Sequence, residues 1–332
     1  MVSLNLPQYR LAGDIGGTKT LLRLVFCGPG GPEIVQEQRF SSAAFNGLVP
    51  MISELLASAK VLPQAACFGV AGPVNGGRAK LTNLPWWIDA DEITEQCSIP
   101  KVRLINDFEA IGYGIEALDA GDMVTLQAGE PQANGPRAVL GAGTGLGECF
   151  LFWQGDHYEV VASEGGHVDF APAGELQMEL LRFLSSKFGH VSYERIVSGP
   201  GLVKIHQFLL ERGGVQCSPE LAQALQGDDA AAAISEAAIA GTDSSAAQAL
   251  DLFLGIYGAQ AGNLALTVLA RGGVYIAGGI APKIIDQMKG GAFMNAFRDK
   301  GRYAEYLQSI PLHVVMNQEV GLLGAALAAA RL

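Results

Sequence analysis

Apolar and polar positions alternate in blocks along this chain, and the blocks predict strands and helices in turn. Leu11, Ala12 and Gly13 lead to Asp14 and pass Gly16, Gly17 and Thr18. The chain is then apolar again over 21–26, so 11–26 reads as strand, tight turn, strand. A third strand is predicted over 33–40. Leu48, Ile52, Leu55, Leu56 and Ala59 fall at helical spacing and predict a helix over 48–59. The run 65–70 reads as a buried strand that Gly72 and Pro73 end, delivering a loop where open α/β sheets hold ligands. A short amphipathic helix capped by Asp89 is predicted over 88–97. A buried strand over 102–105 then runs into Asn106 and Asp107, and a helix over 108–118 follows.

Residues 138–153 repeat the opening form: apolar strand, Gly143-Thr144-Gly145, apolar strand. The stretches 174–188 and 202–261 are helical by period and alanine content. A further strand near 273–277 enters a Gly278-Gly279 turn, with a helix over 283–288. A late strand at 312–316 and a closing helix at 321–331 complete the chain. Strands alternating with helices predict an α/β fold. Two matching hairpins predict a duplicated one, with a hinge near 112–118 and the last helix packed back on the first half.

Composition narrows the function. The 332 residues are 49% hydrophobic and 17% charged, which suits a globular chain with room for two domains. A net charge of −11 argues against nucleic acid as the main partner, because phosphate backbones call for clustered Lys and Arg. The five cysteines stand singly, which argues against a thiolate zinc site and for reduced thiols in the cytoplasm. Residues 1–10 lack the apolar core of a secretory signal, and no apolar run is long enough to span a bilayer.

The glycine turns carry the first candidate chemistry. Gly16 and Gly17 can take positive φ, which would let the turn aim successive N–H groups at a phosphate. A plain Gly-Gly hairpin has the same local pattern. Asp14 makes sense beside phosphates if a divalent metal lies between them. The second turn resembles a dinucleotide fingerprint, but that motif needs a helix next, and the β-prone 149–153 follows instead.

Asp107 is the candidate general base for a substrate hydroxyl; a helix N-cap is the competing reading. Ala110 stands where a capping box would place an acid, and Asn106 is free to cap. Glu164 and His167 flank Gly165 and Gly166, a pair suited to sugar hydroxyls or simply a polar loop. Ser192 to Arg195 reads as a helix start capped by Ser192, with Glu194 in its first turn and Arg195 available to an acid.

Taken in order, 14–18, 105–108, 141–147, 164–172, 189–195, 198–202 and 278–280 resemble bacterial glucokinases of the proteobacterial and cyanobacterial type. These belong to the sugar kinase–actin–Hsp70 ATPase superfamily. The Glu-Gly-Gly-His-Val-Asp-Phe-Ala-Pro stretch at 164–172 is the most specific part. The resemblance implies a two-domain, duplicated ribonuclease H-like fold with a cleft, its small domain formed by 1–114 and 317–332 and its large domain by 115–316. It implies transfer of the ATP γ-phosphoryl group to the 6-hydroxyl of D-glucose, the entry step of glycolysis. Asp107 would be the base, and Asn106, Asp107, Glu164, His167 and Glu194 would hold the hexose. Gly16, Gly17, Thr18, Gly143, Thr144 and Gly145 would hold phosphates, Gly278 and Gly279 the adenosine side, and Asp14 a Mg²⁺ ion through water. A homodimer in the cytoplasm is implied, with no nucleic-acid or membrane partner. Lys19 departs toward the ROK sugar kinases, whose cysteine-rich zinc motif this chain lacks. A kinase for mannose or an amino sugar, a sugar-binding regulator and a phosphohydrolase are the alternative readings.

Overall fold

The computed structural model describes residues 8–28, 31–81 and 84–332. The segment 1–7, read above as part of a start without a secretory signal, lies outside the described residues. The first elements are β1 (Gln8–Ile15), β2 (Lys19–Gly28), β3 (Gly31–Ser41), α1 (Leu48–Ala59) and β4 (Ala65–Val70). Next come β5 (Val74–Asn75), β6 (Arg78–Lys80), β7 (Trp87–Asp89), α2 (Ala90–Cys97), β8 (Val102–Asn106) and α3 (Asp107–Gly114). The middle holds β9 (Met123–Gln127), β10 (Arg137–Ala142), β11 (Leu146–Trp153) and β12 (Tyr158–Ser163). Helices α4 (Gly174–Phe188), α5 (Gly199–Arg212), α6 (Pro219–Ala224), α7 (Ala230–Ala240) and α8 (Ser244–Thr267) follow. The chain ends with β13 (Gly273–Ala277), α9 (Ile285–Met288), α10 (Gly291–Arg298), α11 (Ala304–Ser309), β14 (Leu312–Val315) and α12 (Val320–Ala330).

The described chain divides into two compact units. One runs through Asp119 and takes in Tyr158–Ala162 and Asn317–Leu332. The other comprises Ala120–His157 and Ser163–Met316. The first sheet has the order β3-β2-β1-β4-β8, with β1 antiparallel to β2 and parallel to β4. The second has the order β12-β11-β10-β13-β14-β9, with β10 antiparallel to β11 and parallel to β13. Both thus place a hairpin beside parallel strands, which is the duplication the sequence predicts. Parallel central strands are covered on both faces, and β4 and β13 are buried at every position.

The first unit's core joins Leu11, Leu22 and Leu24 to Met51, Ile52 and Leu55 of α1. The apolar spacing that predicts α1 is therefore the face it buries. Helix α12 packs on α3 and β1, and the crossing with α3 is close because both helices carry glycine there. A Cβ at Gly324 would collide with the Ala110 carbonyl, and one at Gly114 with the Val320 carbonyl. The second unit's core gathers around α8, with Phe253, Ile256 and Tyr257 fully buried. Among the described residues, no helix is long and apolar enough to cross a membrane.

Several expectations shift locally. Ile88 belongs to β7, so α2 begins at Ala90, with Asp89 capping through the Asp91 and Glu92 N–H groups. Helix α3 stops at Gly114 and tightens into a 3-10 turn over Ile115–Ala117. The 283–288 helix starts as a 3-10 turn over Ala281–Ile284, where Pro282 fits the first turn. Residues 192–195 form a turn rather than a helix. Ser192 does accept the Arg195 N–H at 3.3 Å, but its backbone bridges to Asp169 in extended form. The helix begins at Gly199, capped by Ser198.

Candidate active site

Asp107 stands at the first position of α3, where β8 ends. Asn106 is the N-cap: its side-chain oxygen accepts the Phe108 N–H at 2.8 Å, and its amide donates to the Gly72 carbonyl at 3.2 Å. Capping is thus done by the neighbour, while Asp107 Oδ1 receives the Phe108 N–H at 3.0 Å, and the Asn106 side chain and the residue's own N–H also bond the carboxylate. Loss of surrounding water pushes the Asp107 carboxyl up to about 6; the Phe108 N–H opposes this, and the nearby Asp14 charge adds to it. A half-buried carboxylate with that proton affinity suits a general base near neutral pH.

Asp14 lies at the end of β1, beside β4. Its side chain reaches solvent, yet crowding by surrounding protein strips water from it and pushes its carboxyl above the ordinary 3.8. The turn that follows is pinned from below. The Gly16 N–H donates to the Lys19 carbonyl at 3.0 Å, and the Ser42 hydroxyl donates to the Gly16 carbonyl at 2.8 Å. The Ser42 N–H holds the Thr18 carbonyl, and its hydroxyl lies 3.0 Å from that of Thr20, with both side chains fully buried. Ser42 has no sequence signal of its own; its partners lie 22 or more positions away.

The first turn works differently from the expectation of positive φ. Neither Gly16, Gly143 nor Gly145 takes a positive φ. Gly16 and Gly145 serve close approach instead: a Cβ at Gly16 would lie 3.0 Å from the Lys19 carbonyl, and one at Gly145 would lie 2.5 Å from Glu194 Oε2, whereas Gly143 has open space around it.

In the second unit, Gly143 and Thr144 line a cavity of about 530 Å³. Its other walls include Gly199 and Pro200 at the start of α5, Ala230 to Ala232 at the start of α7, and Gly279, Ile280 and Lys283. Both helix starts are capped, α5 by Ser198 and α7 by Asp229, and Asp228 and Asp229 also line the cavity. The Gly199 N–H donates to the Gly143 carbonyl at 2.8 Å, which fixes the turn against α5. Gly278 has φ +82, and a Cβ there would lie 2.6 Å from the Ala142 carbonyl. The structure therefore gathers Gly143, Thr144, Gly278 and Gly279 at the ends of two neighbouring parallel strands. The contributions of α7 and Lys283 went unread in the sequence because apolar helix starts carry no motif.

Glu164, His167 and Glu194 also come together. His167 Nε2 is 3.9 Å from Glu164 Oε2, and Nδ1 is 3.8 Å from Glu194 Oε1. At these separations the three are spaced for a ligand rather than bonded to one another. Glu194 Oε2 accepts the Leu146 N–H at 3.0 Å, so one oxygen is anchored and the other remains open. Gly165–His167 forms a 3-10 turn. Backbone bonds lace it to the partner segment: the Glu194 N–H donates to the Gly166 carbonyl at 2.9 Å, and that of Tyr193 to the Val168 carbonyl at 3.2 Å. Gly166 presses on the Leu146 carbonyl, leaving no room for a side chain. Among the described residues Arg195 has no acidic partner; its guanidinium lies over the Phe188 ring at 4.7 Å.

Among the described residues no group of three His, Cys, Asp or Glu side chains could hold a metal ion. Asp14 with Asp107 nearby still fits Mg²⁺, which usually takes one or two carboxylates plus waters and substrate phosphates.

A duplicated α/β fold with paired phosphate-type turns and a clustered Glu–His–Glu set defines a sugar kinase of the actin-like ATPase class. A family model described as Glucokinase matches residues 11–332, so the chain belongs to the glucokinase family. It is 49% identical to a glucokinase of Nostoc sp., with 97% of this chain and 99% of that protein covered. It is 37% identical to a Yersinia enterocolitica glucokinase over 96% of each. A glucokinase crystal structure from an Antarctic psychrotroph superposes with a TM-score of 0.86 at 31% identity, covering 98% of this chain and 99% of that one.

Proposed function

We propose that this chain transfers the γ-phosphoryl group of ATP to the 6-hydroxyl of D-glucose, giving glucose 6-phosphate and ADP. The observation that carries the reading is Asp107, uncapped and with its proton affinity raised to about 6, on a chain of the glucokinase family. Asp107 takes the proton of the 6-hydroxyl as that oxygen attacks phosphorus and the bond to the ADP oxygen breaks. Asn106 takes its place among the sugar ligands beside Asp107. Glu164 and Glu194 accept from sugar hydroxyls, and His167 accepts or donates according to its tautomer.

Thr18 and the backbone of Gly16 and Gly17 serve the phosphates, as do Gly143, Thr144 and Gly145. Gly278 and Gly279 serve the adenosine side. The second unit's cavity supports this reading, since its walls join the Gly143 turn to Gly279. Asp14 holds Mg²⁺ through water, and the ion, when bound, offsets charge on the phosphate oxygens. We further propose a homodimer working in the cytoplasm, in keeping with five cysteines that are all free thiols.

The test is ADP release measured with and without sugar. Release that depends on glucose, and that mannose or glucosamine supports poorly, is the expected result. ADP release without sugar would instead mark a phosphohydrolase.

A further inference from the structure

Glu148 takes no part in the chemistry above, yet it is a carboxyl group buried to 1% exposure. It lies on β11, two residues beyond the Leu146 whose N–H anchors Glu194. Its Oε1 accepts from Gln260 Nε2 of α8 at 2.9 Å. Gln260 Oε1 accepts from Asn263 Nδ2 at 3.1 Å, and Asn263 also donates to the Tyr193 hydroxyl at 3.0 Å. Tyr193 directly precedes Glu194. The other carboxyl oxygen, Oε2, has no hydrogen-bond partner among the described residues. It rests against Gly165, where any Cβ would collide with it.

One buried carboxyl therefore touches both segments that carry the sugar-facing side chains. It reaches Gly165, between Glu164 and His167, directly. It reaches Tyr193, next to Glu194, through Gln260 and Asn263. We propose that Glu148 is a positioning residue for the sugar acceptor, setting the spacing of Glu164 and His167 relative to Glu194. This rests on the reading of those three side chains as hydroxyl ligands.

The surroundings say in which form it works. Gln260 and Tyr257 face it from α8, Tyr193 from the segment before α5, and Gly165 with the Ser163 hydroxyl from the 3-10 turn. None of these is a cation. Glu164, His167 and Glu194 belong to the same segments, but their side chains are more exposed. Burial accordingly pushes the Glu148 carboxyl up to about 7, with the Gln260 N–H pulling back part of the way. Below that pH the group is neutral and fits its pocket. Above it, an uncompensated charge presses on Gly165 and loosens the segment.

The experiment compares glucose KM, kcat and glucose Kd by calorimetry for the parent chain, Glu148→Ala, Glu148→Gln and Glu194→Ala. Glu148→Ala should raise glucose KM and Kd about tenfold or more, with kcat and the ATP KM moving less than about threefold. Glu148→Gln keeps the shape and the Gln260 bond and should restore most of the glucose affinity. The parent glucose KM should climb between about pH 6 and about pH 8.5, and that of Glu148→Gln should stay flat. A glucose Kd within about twofold of the parent in Glu148→Ala overturns the proposal, as do superimposable pH profiles for Glu148→Gln and the parent. If Glu148→Ala does not fold, the pH comparison decides alone. Weakened glucose binding in Glu194→Ala with none in the Glu148 variants sinks this inference only. Unchanged binding in Glu194→Ala sinks the sugar-ligand reading beneath it.

Discussion

At the scale of single residues, two carboxyl groups, the half-buried Asp107 and the buried Glu148, are shifted in the same direction. Water loss raises Asp107 to about 6, leaving it ionised and able to take a proton at neutral pH. Asp107→Asn should lower kcat by about 10²-fold or more while glucose still binds, since a general base contributes roughly 10²–10⁴-fold. A raised pKa means that the base form is lost as pH falls. The kcat/KM profile of the free enzyme should therefore drop about tenfold per unit below about pH 6, a limb the Asn variant should lack. Glu148 is raised further, to about 7, and its linkage has the same sign. The unfolded chain ionises this group near 4.5, so the native state loses stability as pH rises from there toward 7. Glu148→Gln should gain on the parent across that window, by roughly 2–3 kcal/mol in urea titrations above pH 7.

Asp107 was legible in the sequence because it stands where a buried run meets a helical period. That Asn106 caps the helix could only be settled in three dimensions, since either residue fits the pattern. Ser42 and Glu148 were not legible. A serine and a glutamate are ordinary residues until their partners arrive, and Gln260 is 112 positions from Glu148.

At the scale of elements, the pairing of α3 with α12 holds in place the strand end that leads to Asp107. Gly324 and Gly114 let the backbones approach within the reach of a methyl group. Gly324→Ala would push α12 off Ala110, one turn along α3 from Asp107. We expect a loss of about 1–3 kcal/mol, read as a lower melting temperature, together with a lower kcat. An unchanged melting temperature would count against that close crossing. The sequence predicts both helices from their apolar spacing, but not that they meet, because 210 positions separate the two residues.

The helix expected at 192–195 failed for a related reason. Ser192 has the chemistry of a cap, but backbone bonding to the 164–170 segment claims those residues first. The hairpins were readable because each turn and its strands are contiguous. The role of their glycines was not, because Gly145 is constrained by Glu194, 49 positions on.

At the scale of the molecule, the same strand order appears twice, and the C-terminal residues 317–332 pack with the N-terminal unit. Ligands that bind only the folded form must stabilise it in proportion to the logarithm of their concentration. Glucose at 100 times its Kd should add about 2.7 kcal/mol. Removing divalent metal with a chelator should abolish turnover and the stabilisation by ATP, while leaving that by glucose intact. Full turnover in excess chelator would exclude Asp14 as a metal site.

The sequence by itself determined the α/β class, the two hairpins, the limits of α1, α2, α4 and α12 to within two residues, and the candidate site residues. These are local facts, set by periodicity of 2 or 3.6 and by the composition of turns. Only the tertiary structure decided that Ser42 braces the first turn and Gly145 yields to Glu194. It likewise decided that Glu148 reaches the segments carrying Gly165 and Tyr193 and that residues 158–162 join the first unit. Those outcomes depend on contacts between distant positions, and no local pattern encodes a partner's address.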